Sequence, residues 1–293
     1  MSLTVVPMTK IANGKKKAVL PKCQVIQRVY GMRTGMKIKY SARSHVGWVR
    51  QNNEDNLLVD GVTLPPDIGK RPFMVDGLAE PPFVLAVCDG MGGREDGEVA
   101  SALAVETALR FEDKLCAANE QDLYQTVTDC VRVADTSIRD ANRRRAGTTL
   151  VMAILDRRAV SCFSLGDSRI YVAQRGKVRQ VSHDHTWFAE HIHERSDGRG
   201  RNGNLYKLTG CLGVGPGRAV AQYPRITGKY RLLLCSDGLT DHVEHEELRD
   251  ILCEYKDTED AADELLRCAL NNGGTDNVTV IVADGRTSFP LLL

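Results

Sequence analysis

The sequence predicts an α+β fold built from mostly antiparallel sheets with segregated helices. Three observations lead there. Strand-sized apolar runs lie in groups on both sides of a pair of long helical patterns. Those runs do not alternate regularly with helices, which argues against a doubly wound parallel sheet. A Gln174-Arg175-Gly176 break between two apolar runs is a hairpin signal.

The elements follow in order. Residues 1–36 contain Lys and Gly and show weak periodicity, so an N-terminal extension is expected there, partly disordered or loosely docked. A single folded domain is expected over 37–285, with a tail at 286–293. Residues 37–42 alternate apolar and polar as a half-buried strand does, and 56–59 form a second short strand. Residues 61–82 hold several prolines and glycines and read as a loop or insertion. The run 83–88 is a buried strand that stops at Asp89-Gly90. Helices are expected at about 97–118 and 121–144, where Ala100, Leu103, Ala104 and Ala108, then Leu123, Val127, Val131, Ala134 and Ile138, recur near one face. Strands return at 148–155, 159–165, 169–174 and 177–181. A helix is expected from 184 to 194, followed by a glycine-rich, basic loop at 195–217. Strands at 219–226 and 230–236, helices at 245–254 and 258–271, and a strand at 278–283 complete the domain.

Bulk properties narrow the function. A chain of 293 residues buries a substantial core, and 42% hydrophobic with 26% charged residues is ordinary globular composition. A net charge of +1 gives no reason to expect nucleic acid or an anionic membrane as partner. No apolar run approaches the length of a membrane-spanning helix, and no secretory leader is expected. The nine cysteines are scattered without a C-x-x-C pair, as free thiols of a reducing cytoplasm would be.

The informative feature is the recurrence of Asp at the ends of apolar strands. Asp89 follows VLAVC, Asp167 follows SCFSLG, Asp237 follows RLLLCS, and Asp276 immediately precedes NVTVIV; Glu54 and Asp55 stand before the strand at 56–59. Each motif alone is a reasonable turn, since Asp-Gly and Gly-Asp-Ser are common turn sequences. Together they place many carboxylates at one sheet mouth, which bound cations would make tolerable. The donors are oxygens, so hard ions such as Mg²⁺ or Mn²⁺ are expected.

The ordered motifs RQNNED (50–55), DGMGG (89–93), AGTTL (146–150), LGDSR (165–169), CSDGLTD (235–241) and GTDNVT (274–279) resemble the metal-dependent type 2C protein phosphatases, in their bacterial form. The resemblance spans roughly residues 37–284. It implies a four-layer sandwich of two mostly antiparallel β-sheets flanked by helix pairs. It further implies hydrolysis of phosphoserine and phosphothreonine in proteins by a metal-bound hydroxide at a binuclear Mg/Mn centre. Asp89 and the Gly90 carbonyl, with Asp237 and Asp276, would hold two ions; Glu54 and Asp55 would hold bound waters; and Asp167 with Asp237 would form a third, weaker site. Arg50 would clamp the phosphoryl group, and Arg195, Arg199, Arg201 and Lys207 in a flap-like segment at 184–217 would help position phosphopeptides. Some family members carry His after the Asp-Gly pair as a proton donor; here that residue is Met91, so a metal-bound water is expected to donate instead. His183 and His185 are expected to be structural or solvated, and His191 and His193 are spaced wrongly to share a helix face.

The partners expected on this resemblance are phosphorylated substrates of a Ser/Thr kinase in a bacterial cytoplasm, met by a monomer. Two other functions compete: a catalytically weak phosphoprotein-binding module, and a phosphatase for a small metabolite. The presence of Asp89, Asp237 and Asp276 together disfavours the former.

Overall fold

The computed structural model describes residues 36–65, 68–92, 96–142, 145–191, 207–214 and 218–288. Two antiparallel sheets stack face to face. The first has the order β10 (Lys177–Gln180), β9 (Arg169–Gln174), β12 (Lys229–Cys235), β13 (Val278–Arg286), β1 (Ile38–His45), β4 (Phe73–Ala79). The second runs β11 (Ala221–Gln222), β8 (Val160–Leu165), β7 (Leu150–Leu155), β5 (Phe83–Met91), β2 (Asp55–Val59), β3 (Val62–Thr63), with β6 (Gly147–Thr148) against β5.

Strict alternation along the strands explains why they read as continuous apolar runs. In β7, Val151, Ala153 and Leu155 face the opposite sheet, while Leu150, Met152 and Ile154 face helices. Both faces are covered, so no polar residue is needed at alternate positions. Helices α1 (Asp96–Ala117) and α2 (Glu120–Asn142) cover the second sheet through Ala100, Ala104, Val127 and Ile138. Helices α5 (His245–Glu254) and α6 (Thr258–Asn271) cover the first through Leu248, Leu252, Leu265 and Ala269. A third core, between the sheets, includes Tyr40, Leu57, Leu85, Leu232 and Ile281. The result is the expected four-layer sandwich.

Three segments depart from expectation. Residues 61–82 are not merely a loop: β3 and β4 lie there, and β4 pairs with β1 from Ile38↔Ala79 to Ser44↔Phe73. Its Asp76 is held by the fully buried Arg43 guanidinium at 2.8 Å, so a charge inside the strand is satisfied rather than solvated. The strand expected at 219–226 shrinks to Ala221–Gln222 plus an isolated bridge of Ile226 with Val160. Pro224 between them has no N–H to give a ladder. The last strand runs on to Arg286, into the expected tail, because Lys229 and Tyr230 pair with Arg286 and Gly285. The N-terminal extension up to residue 35, the end of the expected helix at 192–194, and residues 195–206 and 215–217 of the basic loop lie outside the described residues. Helix α3 is described over Trp187–His191.

Candidate metal centre

The strand ends that carry the acids come together at one edge of the sandwich. Asp55 and Asp89 are direct antiparallel partners on β2 and β5. Asp237 opens the short helix α4 (Asp237–Thr240) one residue beyond Ser236, and Asp276 stands two residues before β13. A cavity of about 400 Å³ is lined by Arg50, Glu54, Asp89, Gly90, Asp167, Asp237 and Asp276. Larger hollows of about 740 and 1070 Å³ lie elsewhere, yet the strand-end acids converge on the smaller one. Asp55, 3% exposed, is not among the residues that line this cavity; it borders the hollow of about 740 Å³ and reaches the acids as the strand partner of Asp89.

Local backbone contacts fix this convergence. Gly90 donates its N–H to the Glu54 carbonyl at 3.0 Å, and a Cβ on Gly90 would lie within 2.6 Å of that oxygen. Only glycine lets the two loops approach so closely. Gly47, at φ +78°, passes equally close to the Asp276 carbonyl. The AGTTL segment frames Asp89: Thr149 donates its N–H to the Asp89 carbonyl at 2.9 Å, Thr148 Oγ1 donates to the same oxygen at 2.9 Å, and Asp89 N–H donates to Thr149 Oγ1 at 2.9 Å. Thr149 Oγ1 in turn meets Ser168 Oγ at 2.6 Å, a structural role for both. Arg169 pairs with Asp184 at 2.7 Å and does not enter the cavity lining.

Sequence reasoning missed Asn277. Its side chain accepts the Glu54 N–H at 2.7 Å and donates to the Val46 and Asn52 carbonyls at 2.9 and 3.0 Å. One buried amide thus ties the whole 46–54 loop to the start of β13. The Asp-Asn dipeptide was visible in the sequence, but its three distant backbone partners were not.

The electrostatics are those of crowded anions. Burial, followed by the charges of Asp55 and Asp237, holds the Asp89 carboxyl well above the usual range. Burial pushes Asp55 up to about 7 against hydrogen bonds that favour its charged form, including one from Ser236 at 2.7 Å. Asp167 is likewise pushed up to about 7, by burial and then Asp237. Asp237 and Glu54 are raised too, with burial the largest cause in both. Arg50 is the cation among the lining residues; it reaches Asp276 at 2.6 Å and is 50% exposed, so the pair is weak and the guanidinium can leave it. Among the described residues, Asp55 Oδ1 is buried without a hydrogen-bond partner.

These residues fit hard divalent cations. The donors are all oxygens, five carboxyl groups face one guanidinium in the lining, and burial has been imposed on groups that resist it. Among the described residues no three ligating side chains already stand in a closed coordination set. The acids line an open cavity instead, which leaves room for water and substrate.

Among the described residues no histidine lines the cavity. His185, 4% exposed, accepts the Gly166 N–H on Nδ1 at 3.1 Å and so braces the turn that carries Asp167. Burial, then Arg218, pushes its pKa down to about 4. A folded pKa below the unfolded value of about 6.5 means that the unfolded chain binds the extra proton. Stability is therefore full above about pH 6.5 and falls as pH drops towards 4, by up to about 3 kcal/mol. His185→Asn keeps an acceptor near Gly166, and urea titrations from pH 7 to 4.5 should show a flatter loss for the variant; identical slopes would refute this. His191 Nδ1 lies 2.8 Å from the Trp187 carbonyl, and His193 lies outside the described residues. So do Arg195, Arg199 and Arg201 of the expected flap; Lys207 is exposed, next to Leu208, which lines the cavity.

Comparison with known proteins agrees with this fold. A family model described as protein phosphatase 2C matches residues 75–272. The serine/threonine protein phosphatase PstP of Mycobacterium tuberculosis is 30% identical over 272 residues; the match covers 86% of this chain but 46% of that longer protein. The serine/threonine phosphatase stp of Listeria monocytogenes is 32% identical, covering 83% of this chain and 94% of the relative. Among solved structures, the catalytic domain of PstP in complex with two manganese ions superposes with a TM-score of 0.67 at 29% identity, over 85% of this chain and 99% of that one.

Proposed function

The chain belongs to the protein phosphatase 2C family, and from that premise we propose that it hydrolyses phosphoserine and phosphothreonine in proteins. The observation that carries this is the convergence of Asp89, Asp167, Asp237 and Asp276 with Arg50 on one cavity. Asp89, the Gly90 carbonyl, Asp237 and Asp276 would hold two Mn²⁺ or Mg²⁺ ions. Glu54 and Asp55 would steady waters around them, and Asp167 with Asp237 would offer a third, weaker site. When bound, such a pair supplies a nucleophile at neutral pH and neutralises phosphoryl oxygens.

The chain's own residues do the rest. Arg50 leaves its exposed pairing with Asp276 to grip two phosphoryl oxygens, the bidentate geometry that a guanidinium favours. Asn277 holds the Arg50–Glu54 loop at a fixed height over the acids. Met91 lines the cavity where a histidine could have donated a proton, so the leaving oxygen takes its proton from water. The substrates would be products of a Ser/Thr kinase, met by a monomer in a bacterial cytoplasm. Among the described residues no helix is long and apolar enough to cross a membrane.

The test is turnover of a phosphothreonine peptide with and without Mn²⁺, by wild type and Asp237→Ala. Activity should require the metal and fall about a thousandfold or more in the variant. Turnover without metal, or an unimpaired variant, would overturn the proposal, and preference for small phosphorylated metabolites over peptides would redirect it.

A further inference from the structure

Six large apolar side chains are exposed among the described residues, and Trp48 and Val49 are the two that adjoin in sequence, at 58% and 61% exposure. Isolated exposed apolar residues need no explanation. These two differ in being consecutive, in their position, and in the anchoring of Trp48.

Trp48 is fixed at several points. Its backbone N–H donates to the Gly274 carbonyl at 2.7 Å, and its indole Nε1–H donates to the Leu270 carbonyl at 2.8 Å. The buried His45 ring stands edge-on to the indole at 5.1 Å between centroids. Gly274, at φ +52°, lets the indole approach the backbone closely: a Cβ there would come within 2.8 Å of Trp48 Cδ1. An indole so anchored has already lost its rotamer freedom, so a ligand that covers its exposed face pays little ordering entropy.

Its anchors place it at the rim of the acidic cavity. Arg50, two residues beyond Trp48, lines that cavity, as does Asp276, two residues beyond Gly274. Two residues span at most about 7 Å. An extended peptide advances about 3.3 Å per residue, so a phosphorylated residue in the cavity would bring a side chain one to three positions away over the indole.

We infer that Trp48 and Val49 form an apolar platform that receives a hydrophobic side chain of the substrate close to its phosphoserine or phosphothreonine. The inference rests on the phosphatase reading and adds a substrate preference to it. Val49 extends the surface with aliphatic rather than charged groups, so the favoured neighbour is Leu, Ile, Met or Phe rather than Lys or Arg.

The experiment uses phosphothreonine peptides in a Gly/Ser background, with a single Leu, Lys or Gly placed at each of three positions on either side. Wild type should prefer Leu at one or two positions by about tenfold in kcat/KM, through KM. In Trp48→Ala that ratio should fall below about twofold, and Val49→Ser, which disturbs no anchor, should lower it partway. Trp48→Phe, which keeps an aromatic face, should retain most of it. An aryl phosphate too small to reach the platform serves as reference. A Leu preference that survives in Trp48→Ala, a preference for Lys, or equal losses on peptide and aryl phosphate would each overturn the inference. No turnover of the aryl phosphate by wild type with Mn²⁺ would overturn the phosphatase reading itself, and this inference with it.

Discussion

Asp89→Asn should abolish metal-dependent turnover, by a thousandfold or more, and at the same time make the metal-free protein more stable. The two effects share a cause. Asp89 lies beside Asp55 and Asp237 in a buried setting that holds its carboxyl protonated well above its ordinary range, and its hydrogen bond with Asp237 favours that proton. An asparagine has the same shape and donates to Asp237 without being charged, so the repulsion is relieved. Divalent ions held by Asp89 would need the opposite, a charged carboxylate, and an amide cannot supply it. Differential scanning calorimetry in EDTA should show the melting temperature of the variant raised by roughly 5 °C. Addition of Mn²⁺ should then raise the melting temperature of wild type and leave that of the variant unmoved. A variant less stable than wild type in EDTA would mean that the carboxylates are not held together against their charge.

The second large effect is expected at Asn277. Replacement by Ala removes the acceptor for the Glu54 N–H and both donors to the Val46 and Asn52 carbonyls, in a residue 5% exposed. Buried backbone groups left without partners cost about 1–3 kcal/mol each, so a total of about 3–5 kcal/mol is expected, a fall in melting temperature of roughly 10 °C. The loop carrying Arg50 and Glu54 loses its tether, and kcat/KM for a phosphopeptide should fall about 10- to 100-fold. Asn277→Asp should also fail, since it restores the acceptor but sets a carboxylate against two carbonyls. Thermal melts and steady-state kinetics of both variants check this; a stable, fully active Asn277→Ala would show that the loop is held by other means.

What was legible in the sequence, and what was not, follows from which physical signals are local. The helices at 245–254 and 258–271 were read with the bounds they have, because apolar spacing along one helix face is a local pattern. The strand-end acids were legible for the same reason: each stands where an apolar run starts or stops. Edge strand β4 was not, since Pro72, Gly77 and an internal Asp76 all speak against a strand, and the Arg43 guanidinium that neutralises Asp76 comes from a strand 33 residues earlier. Helix α4 hid inside SDGLTD, whose Asp-Gly reads as a turn. Asn277 looked like an ordinary turn residue because its partners lie up to 231 residues away. The anchored indole of Trp48 was silent for a like reason: its hydrogen bond crosses 222 residues to Leu270.

The central proposal is that Asp89, Asp237 and Asp276, brought together from three strand ends, would hold a pair of divalent ions. Calorimetric titration of the chelator-stripped protein with Mn²⁺ tests it most directly. The account predicts about two ions bound per wild-type chain and loss of that binding in Asp89→Asn. Wild-type protein that takes up no Mn²⁺, or a variant that still takes up two, would contradict it.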